Sequence, residues 1–201
     1  MKYLFLFFVF TLSAVAVADV DNRVMFTTTI DSKMRKAKKS YSKEDYKKSF
    51  KQFNELARLG LKEAQFMTGM MLIRGKGQPK DMVRGISWIY TASEAKSKWV
   101  KQADIYFSTI NRSEKRQVQE LVAVFVERFG MDAQLVSCRK ESATGSHIRK
   151  VICTKQRDVR TPLFSEDGKL LANVTVQNAP NDRNTVGSGA ALSGVRAATS
   201  R

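Results

Sequence analysis

A period of 36 residues constrains this chain more than any other feature. Asp45-Tyr46-Lys47-Lys48-Ser49-Phe50, followed by Phe53, Leu56 and Ala57, recurs as Asp81-Met82-Val83-Arg84-Gly85-Ile86, followed by Ile89, Ala92 and Ser93. In each copy apolar or small side chains stand at i, i+3, i+6 and i+7, which is one face of a 3.6-residue period, and the leading Asp stands where a helix N-cap belongs. Between the copies Ala64, Met67, Met71 and Leu72 trace another helical stripe, after which Gly75 and Gly77 break the helix and Pro79 delays the next. A unit of this length buries its apolar face by stacking on its neighbours, so a mainly α, short αα-hairpin solenoid is expected.

Residues 45–93 resemble Sel1-like repeats, relatives of the tetratricopeptide repeats. The matching positions are Ala64-Gln65-Phe66 and Gly69 on one helix, Arg74-Gly75-Lys76-Gly77-Gln78-Pro79-Lys80-Asp81 in the loop, and Arg84, Ile86, Trp88 and Ala92-Ser93 on the next. The roles expected for them are structural. Gly69 and Ala92 let helices approach closely, Gly75 and Gly77 permit backbone dihedrals that other residues avoid, and Trp88 supplies a large buried surface. The resemblance covers one complete repeat, 62–95, and the second helix of a preceding unit. In the unit that follows, Ala103 stands 39 residues after Ala64 rather than 36, and Ser108-Thr109 replaces the glycine region. Residues 113–129 then form a further amphipathic helix, with Val118, Leu121, Val122, Phe125 and Phe129 on one face, suited to cap the stack.

The ends of the chain have a different character. Leu4 to Leu12 is an almost unbroken apolar run behind Lys2, and Ala16-Val17-Ala18 is a small-residue cleavage pattern. Residues 1–18 therefore read as a secretory signal peptide, too short for the roughly 20 residues of a membrane span. An exported chain meets an oxidising compartment, where its two cysteines, Cys138 and Cys153, pair if geometry allows. The midpoint between them falls on Gly145-Ser146, a dipeptide suited to a two-residue hairpin turn, which sets Cys138 opposite Cys153 as a hydrogen-bonded pair unless a bulge shifts it. Residues 131–177 are thus expected to hold a small disulfide-linked β-hairpin. The tail, 178–201, lacks aromatics, is rich in Gly, Ala, Ser, Asn and Thr, and reads as disordered.

Catalytic chemistry finds little footing. One His and two Cys among 201 residues exclude a dense zinc site. His147 stands beside the expected turn with no Ser-Asp or Cys arrangement near it in sequence, and Gly75-Lys76-Gly77 lacks phosphate-loop spacing. Some relatives of the repeat family are hydrolases, but no nucleophile–base pairing supports that activity here. No catalytic, metal or cofactor-binding residue is assigned, and no cofactor is expected.

Charge is the remaining signal. The chain carries 35 Lys+Arg against 19 Asp+Glu, net +16. Within 32–51 the cations Lys33, Arg35, Lys36, Lys38, Lys39, Lys43, Lys47, Lys48 and Lys51 face only Glu44 and Asp45. Seven more, from Arg139 to Arg160, gather around the hairpin. Such a field attracts anionic lipid, acidic polymer or an acidic protein in a salt-dependent way; export disfavours nucleic acid as the partner.

The expected organisation is a signal peptide (1–18), a basic segment (19–42), a Sel1-like helical domain with its capping helix (43–130), the hairpin region (131–177) and the tail (178–201). The resemblance implies a non-enzymatic scaffold or adaptor of the bacterial envelope, periplasmic or secreted, holding a partner protein or peptide. The alternative is binding of an anionic envelope component (lipid, lipopolysaccharide or cell-wall polymer) through the basic patches.

Overall fold

The computed structural model describes residues 20–142 and 149–179. The expected leader, the Gly145-Ser146 turn with His147, and the tail beyond its first two residues lie outside the described residues. The element order is β1 (Asn22–Phe26), α1 (Thr27–Ser42), α2 (Tyr46–Arg58), α3 (Lys62–Arg74), α4 (Met82–Ser93), α5 (Ser97–Ser108), α6 (Arg112–Phe129), β2 (Val136–Ser142), β3 (Arg149–Lys155), β4 (Arg160–Phe164) and β5 (Leu170–Gln177).

The 36-residue period appears as geometry. Asp45 caps α2 by accepting a hydrogen bond from the Lys48 backbone N–H at 3.3 Å, and Asp81 caps α4 through Arg84 at 2.9 Å. Helix α3 ends on Gly75 in the left-handed conformation (φ 64°). Gly77 (φ 83°) lies so close to the start of α2 that a Cβ there would fall 2.2 Å from the Tyr46 carbonyl oxygen. α3 and α4 cross where each carries a glycine: a Cβ on Gly69 would meet the Gly85 carbonyl oxygen at 2.6 Å, and one on Gly85 would meet Ile73 Cγ1 at 2.6 Å. Helices reach that separation only where side chains are missing from the contact.

The basic segment at the amino end holds β1 and α1. Helix α1 packs on α2 and completes a first helical hairpin, with Ile30, Ala37 and Ser40 as its buried stripe. In the third hairpin α5 packs on α4, and α6 returns across α4 to reach α2. The link from α5 to α6 is short, Thr109 to Asn111, which leaves no room for the glycine loop of the α3–α4 connection. α6 is the capping helix. It opens on a reciprocal capping box between Asn111 and Glu114 and buries Val118, Phe125 and Phe129. Trp88 is fully buried, its ring 4.4 Å from that of Phe125 and 5.2 Å from that of Phe129.

Two sheets complete the fold. β2 and β3 form the disulfide-linked hairpin, in the register Cys138↔Cys153, with the bond made and the Cα atoms 4.0 Å apart. One expectation is corrected. The Gln156 N–H donates to the Leu135 carbonyl at 2.7 Å, making 135/156 a hydrogen-bonded pair, so by alternation 138/153 is a non-hydrogen-bonded one. The short Cα separation agrees with that parity, the opposite of what a two-residue turn at Gly145-Ser146 sets.

The second sheet has the order β1-β5-β4 and no local sequence signature. β1 pairs in parallel with β5 from Asn22↔Asn173 to Phe26↔Gln177, joining the two ends of the described chain. β5 alternates, with Ala172, Val174 and Val176 buried. Leu163, Val174 and Val176 share one apolar cluster with Ile30, Phe53, Leu59, Trp88, Phe125 and Phe129, so the sheet is packed into the main helical core. The β4–β5 turn is pinned from the helices: Arg84 Nη2 donates to Glu166 at 2.6 Å, and Arg128 Nη1 to the Glu166 carbonyl at 3.1 Å.

Candidate interaction site

The hairpin is held at its base by Gln134, which is fully buried in the turn between α6 and β2. Its Nε2 donates to the Arg128 carbonyl at the end of α6 and to the Pro162 carbonyl on β4, both at 2.8 Å. Pro162 sits on an edge strand, where a missing N–H costs no ladder bond. Lys155 Nζ donates to the Gln134 carbonyl at 2.6 Å and to its Oε1 at 2.9 Å. Burial without a carboxylate partner pulls the Lys155 amine down to about 7. Gly60, at φ 84° between α2 and α3, gives way to this plug: a Cβ there would fall 2.6 Å from Gln134 Cβ.

A second polar network ties the repeat to the same turn. Lys62, 1% exposed, donates to Gln65 Oε1 at 3.0 Å, to the Thr91 carbonyl at 3.2 Å and to Glu94 at 2.5 Å. Gln65 in turn donates to the carbonyls of Ala57 at 3.0 Å and Phe129 at 2.8 Å. Glu94 also accepts from the Met131 N–H at 3.0 Å. Burial lowers the Lys62 ammonium, and its hydrogen bond and attraction to Glu94 oppose that shift. These bonds fix where 130–136, and hence the hairpin, leaves the solenoid.

What the clamp creates is a groove between β3 and the first helices of the three hairpins. A cavity of about 690 Å³ runs from Thr27 and Ile30 on α1, past Val136 and Ser137 at the start of β2, to Cys153, Lys155 and Arg157. A second, of about 250 Å³, continues between Met34 on α1, Lys62 on α3, Trp99 on α5 and the Val151–Ile152 stretch of β3. Asp31, Leu61 and Cys153 line both. The disulfide therefore sits midway along the groove and holds one wall, β3, in a single register.

The basic patch is less uniform than its sequence suggests. Lys33 pairs with Glu55, and Lys38 with Glu63 at 2.8 Å, so two of the cations have partners on α2 and α3. Arg35, Lys36, Lys39, Lys47 and Lys48 are exposed and have no ion-pair partner among the described residues.

The repeat positions lie in the frame and outside the groove. Ala64, Gly69, Trp88 and Ala92 are buried in the helical stack, Asp81 caps α4, and Gly75 and Gly77 shape the α3–α4 loop. Of the residues marked by the sequence, Cys153 and the basic residues Arg139, Lys155 and Arg157 line the groove. Gln134, Lys62 and Gly60, which position it, carried no sequence signal, because their partners lie on elements distant in the chain. Gln65 stood inside the repeat match, but nothing in the sequence marked its bond to Phe129. Among the described residues no three His, Cys, Asp or Glu side chains gather as a metal site.

No protein-family model matches this chain, and neither does any curated protein. Among solved structures it is similar to a protective antigen present in uropathogenic Escherichia coli strains and displaying an SLR, or Sel1-like repeat, fold. The match is 20% identical, covers 50% of this chain and 23% of that one, and has a TM-score of 0.42. The helical-repeat fold rests on its own geometry: aspartate caps one period apart, two left-handed loop glycines and the Gly69/Gly85 crossing. The disulfide suggests an oxidising, non-cytoplasmic setting. Among the described residues no helix is long and apolar enough to cross a membrane.

Proposed function

We propose that the protein is an exported, non-enzymatic scaffold of the bacterial envelope, periplasmic or secreted, that holds a partner protein or peptide on its helical-repeat surface. The observation that carries this reading is the groove between β3 and α1, α3 and α5. It is built from apolar floor residues such as Ile30 and Leu61, it has a polar rim, and one wall is locked by a disulfide. A preorganised concave site of this kind lowers the ordering cost of binding. The leader-like first 18 residues and the disulfide support export. The test is affinity capture from envelope extract on immobilised protein. A protein retained by the wild type, lost on Ile152→Asp in the groove and kept on Lys39→Glu on α1 supports the scaffold; no protein retained above background overturns it.

A second reading has its own observation, the exposed cations Arg35, Lys36, Lys39, Lys47, Lys48 and Lys51 of α1 and α2, which have no carboxylate partner among the described residues. They suit an anionic envelope surface of lipid, lipopolysaccharide or cell-wall polymer. Such binding is charge-driven and weakens steeply between low and high salt, whereas binding to apolar floor residues does not. Vesicle and polymer sedimentation at two salt concentrations separates the two readings.

A further inference from the structure

We propose, building on the scaffold reading, that the outer edge of β3 takes up an extended acidic segment of the partner as a third strand. Among the described residues the hairpin sheet has two strands and no more. Since 138/153 is a non-hydrogen-bonded pair, the N–H and C=O groups of Val151 and Cys153 point away from β2, and those of Ile152 and Thr154 point toward it. No hydrogen bond to the outward set occurs among the described residues. Two-stranded ribbons are marginal on their own and gain stability from a third strand. Here the disulfide keeps the ribbon in register without one, so the edge stands ready for strand addition.

The surroundings of this edge define the segment. Residues 151–157 line the groove continuously, a run of seven that at about 3.3 Å per residue accommodates an extended segment of similar length. Across from β3 lie Ile30, Met34 and Leu61, which receive every second side chain as apolar contacts. The rim stretch 149–157 carries the exposed cations Arg149, Lys150 and Arg157 and no carboxylate, while the Lys155 amine is turned inward onto Gln134, so the alternate side chains of the segment are acidic. On the opposite wall the exposed Asp31 lines both cavities and Asp132 lines the larger; neither has an ion-pair partner among the described residues, so no acidic side chain of the segment stands directly opposite them.

The probe is a synthetic seven-residue peptide of alternating Val and Glu, titrated onto the full mature protein. A control peptide has the same sequence with the amides that would face β3 N-methylated. Binding of the first peptide with slowed hydrogen exchange at the Val151 and Cys153 amides, and affinity reduced about tenfold or more for the control, supports the inference, because N-methylation removes the N–H donors and blocks the edge-to-edge approach that strand addition requires while leaving the side chains unchanged. Reversing rim charge with Lys150→Glu and Arg157→Glu should weaken binding further while leaving the helical signal unchanged. Absence of saturable binding overturns it. So does equal binding of the N-methylated control, or protection confined to α1 and the start of α2. Should the captured partner bind through the groove while the Val151 and Cys153 amides exchange at their free rates, the scaffold reading stands and strand addition alone falls.

Discussion

Gly69 and Gly85 meet backbone to backbone where α3 crosses α4, with no side chain between them. A Cβ on Gly69 would lie 2.6 Å from the Gly85 carbonyl oxygen and 2.7 Å from Ile89 Cγ1. Relieving that contact would push apart two helices whose buried faces form the centre of the solenoid. Gly69→Val should destabilise the protein by about 1–3 kcal/mol or more, the cost of overpacking a close contact. Gly75→Ala meets nothing nearer than 3.5 Å and pays only for its left-handed backbone, about 1 kcal/mol. Chemical denaturation of both variants checks that ordering.

Gln134 joins α6, β3 and β4, so Gln134→Ala leaves the carbonyls of Arg128 and Pro162 without their partner and the Lys155 amine with the residue-134 backbone carbonyl alone. Buried groups left unpaired cost about 1–3 kcal/mol each. A loss of roughly 2–5 kcal/mol is expected, with proteolytic cleavage appearing first around 131–136. Equal stability of the variant would mean that the clamp contributes nothing.

The Cys138–Cys153 bond closes a loop that the chain-entropy model values at about 3 kcal/mol. Mass spectrometry of non-reduced protein should show a mass two hydrogens below that of the dithiol. Cys153→Ser should raise proteolysis across 134–155 and leave the helical circular dichroism of α1 to α6 largely intact, because the helical core is built without the hairpin's strands. Loss of the helical signal as well would show hairpin and solenoid to be one cooperative unit.

Lys155 supplies a pH dependence with a definite sign. Its amine is lowered by burial to about 7 in the folded protein, against about 10.4 in the unfolded chain. Between those values the unfolded state holds a proton that the folded state has released, so stability from this group rises with pH across that window. Its penalty is complete below about pH 7 and gone above about pH 10.4. Denaturation midpoints of Lys155→Met across pH 6 to 10 should rise less than those of the wild type; parallel curves would contradict the assignment.

How far the sequence reaches is clear from particular residues. Asp45, Asp81, Gly75 and Gly77 act within a few residues of themselves, so a one-dimensional pattern records them. Cys138 and Cys153 were legible as partners because a hairpin is local, although the parity of their pair was not. Helix α1 leaves a faint sequence pattern because its apolar stripe is thin, Ile30, Met34 and Ala37 standing among lysines. The β1–β5 pairing joins residues about 150 positions apart, such as Asn22 and Asn173, which no local period encodes. Gln134 and Lys62 stayed hidden for the same reason. A buried polar network is specified by what surrounds it in space, and the groove it positions was hidden with it.

The central claim, that the groove beside β3 is the binding surface, is tested most directly by site-specific photo-crosslinking in envelope extract. One variant carries the crosslinker in place of Ile152, a partly exposed groove residue, and another in place of Lys39 on the exposed basic face of α1. A discrete protein adduct at position 152 that persists in high salt, with none at position 39, is the predicted result. Adducts at position 39 alone, lost as salt rises, would contradict the claim and assign binding to the charged face.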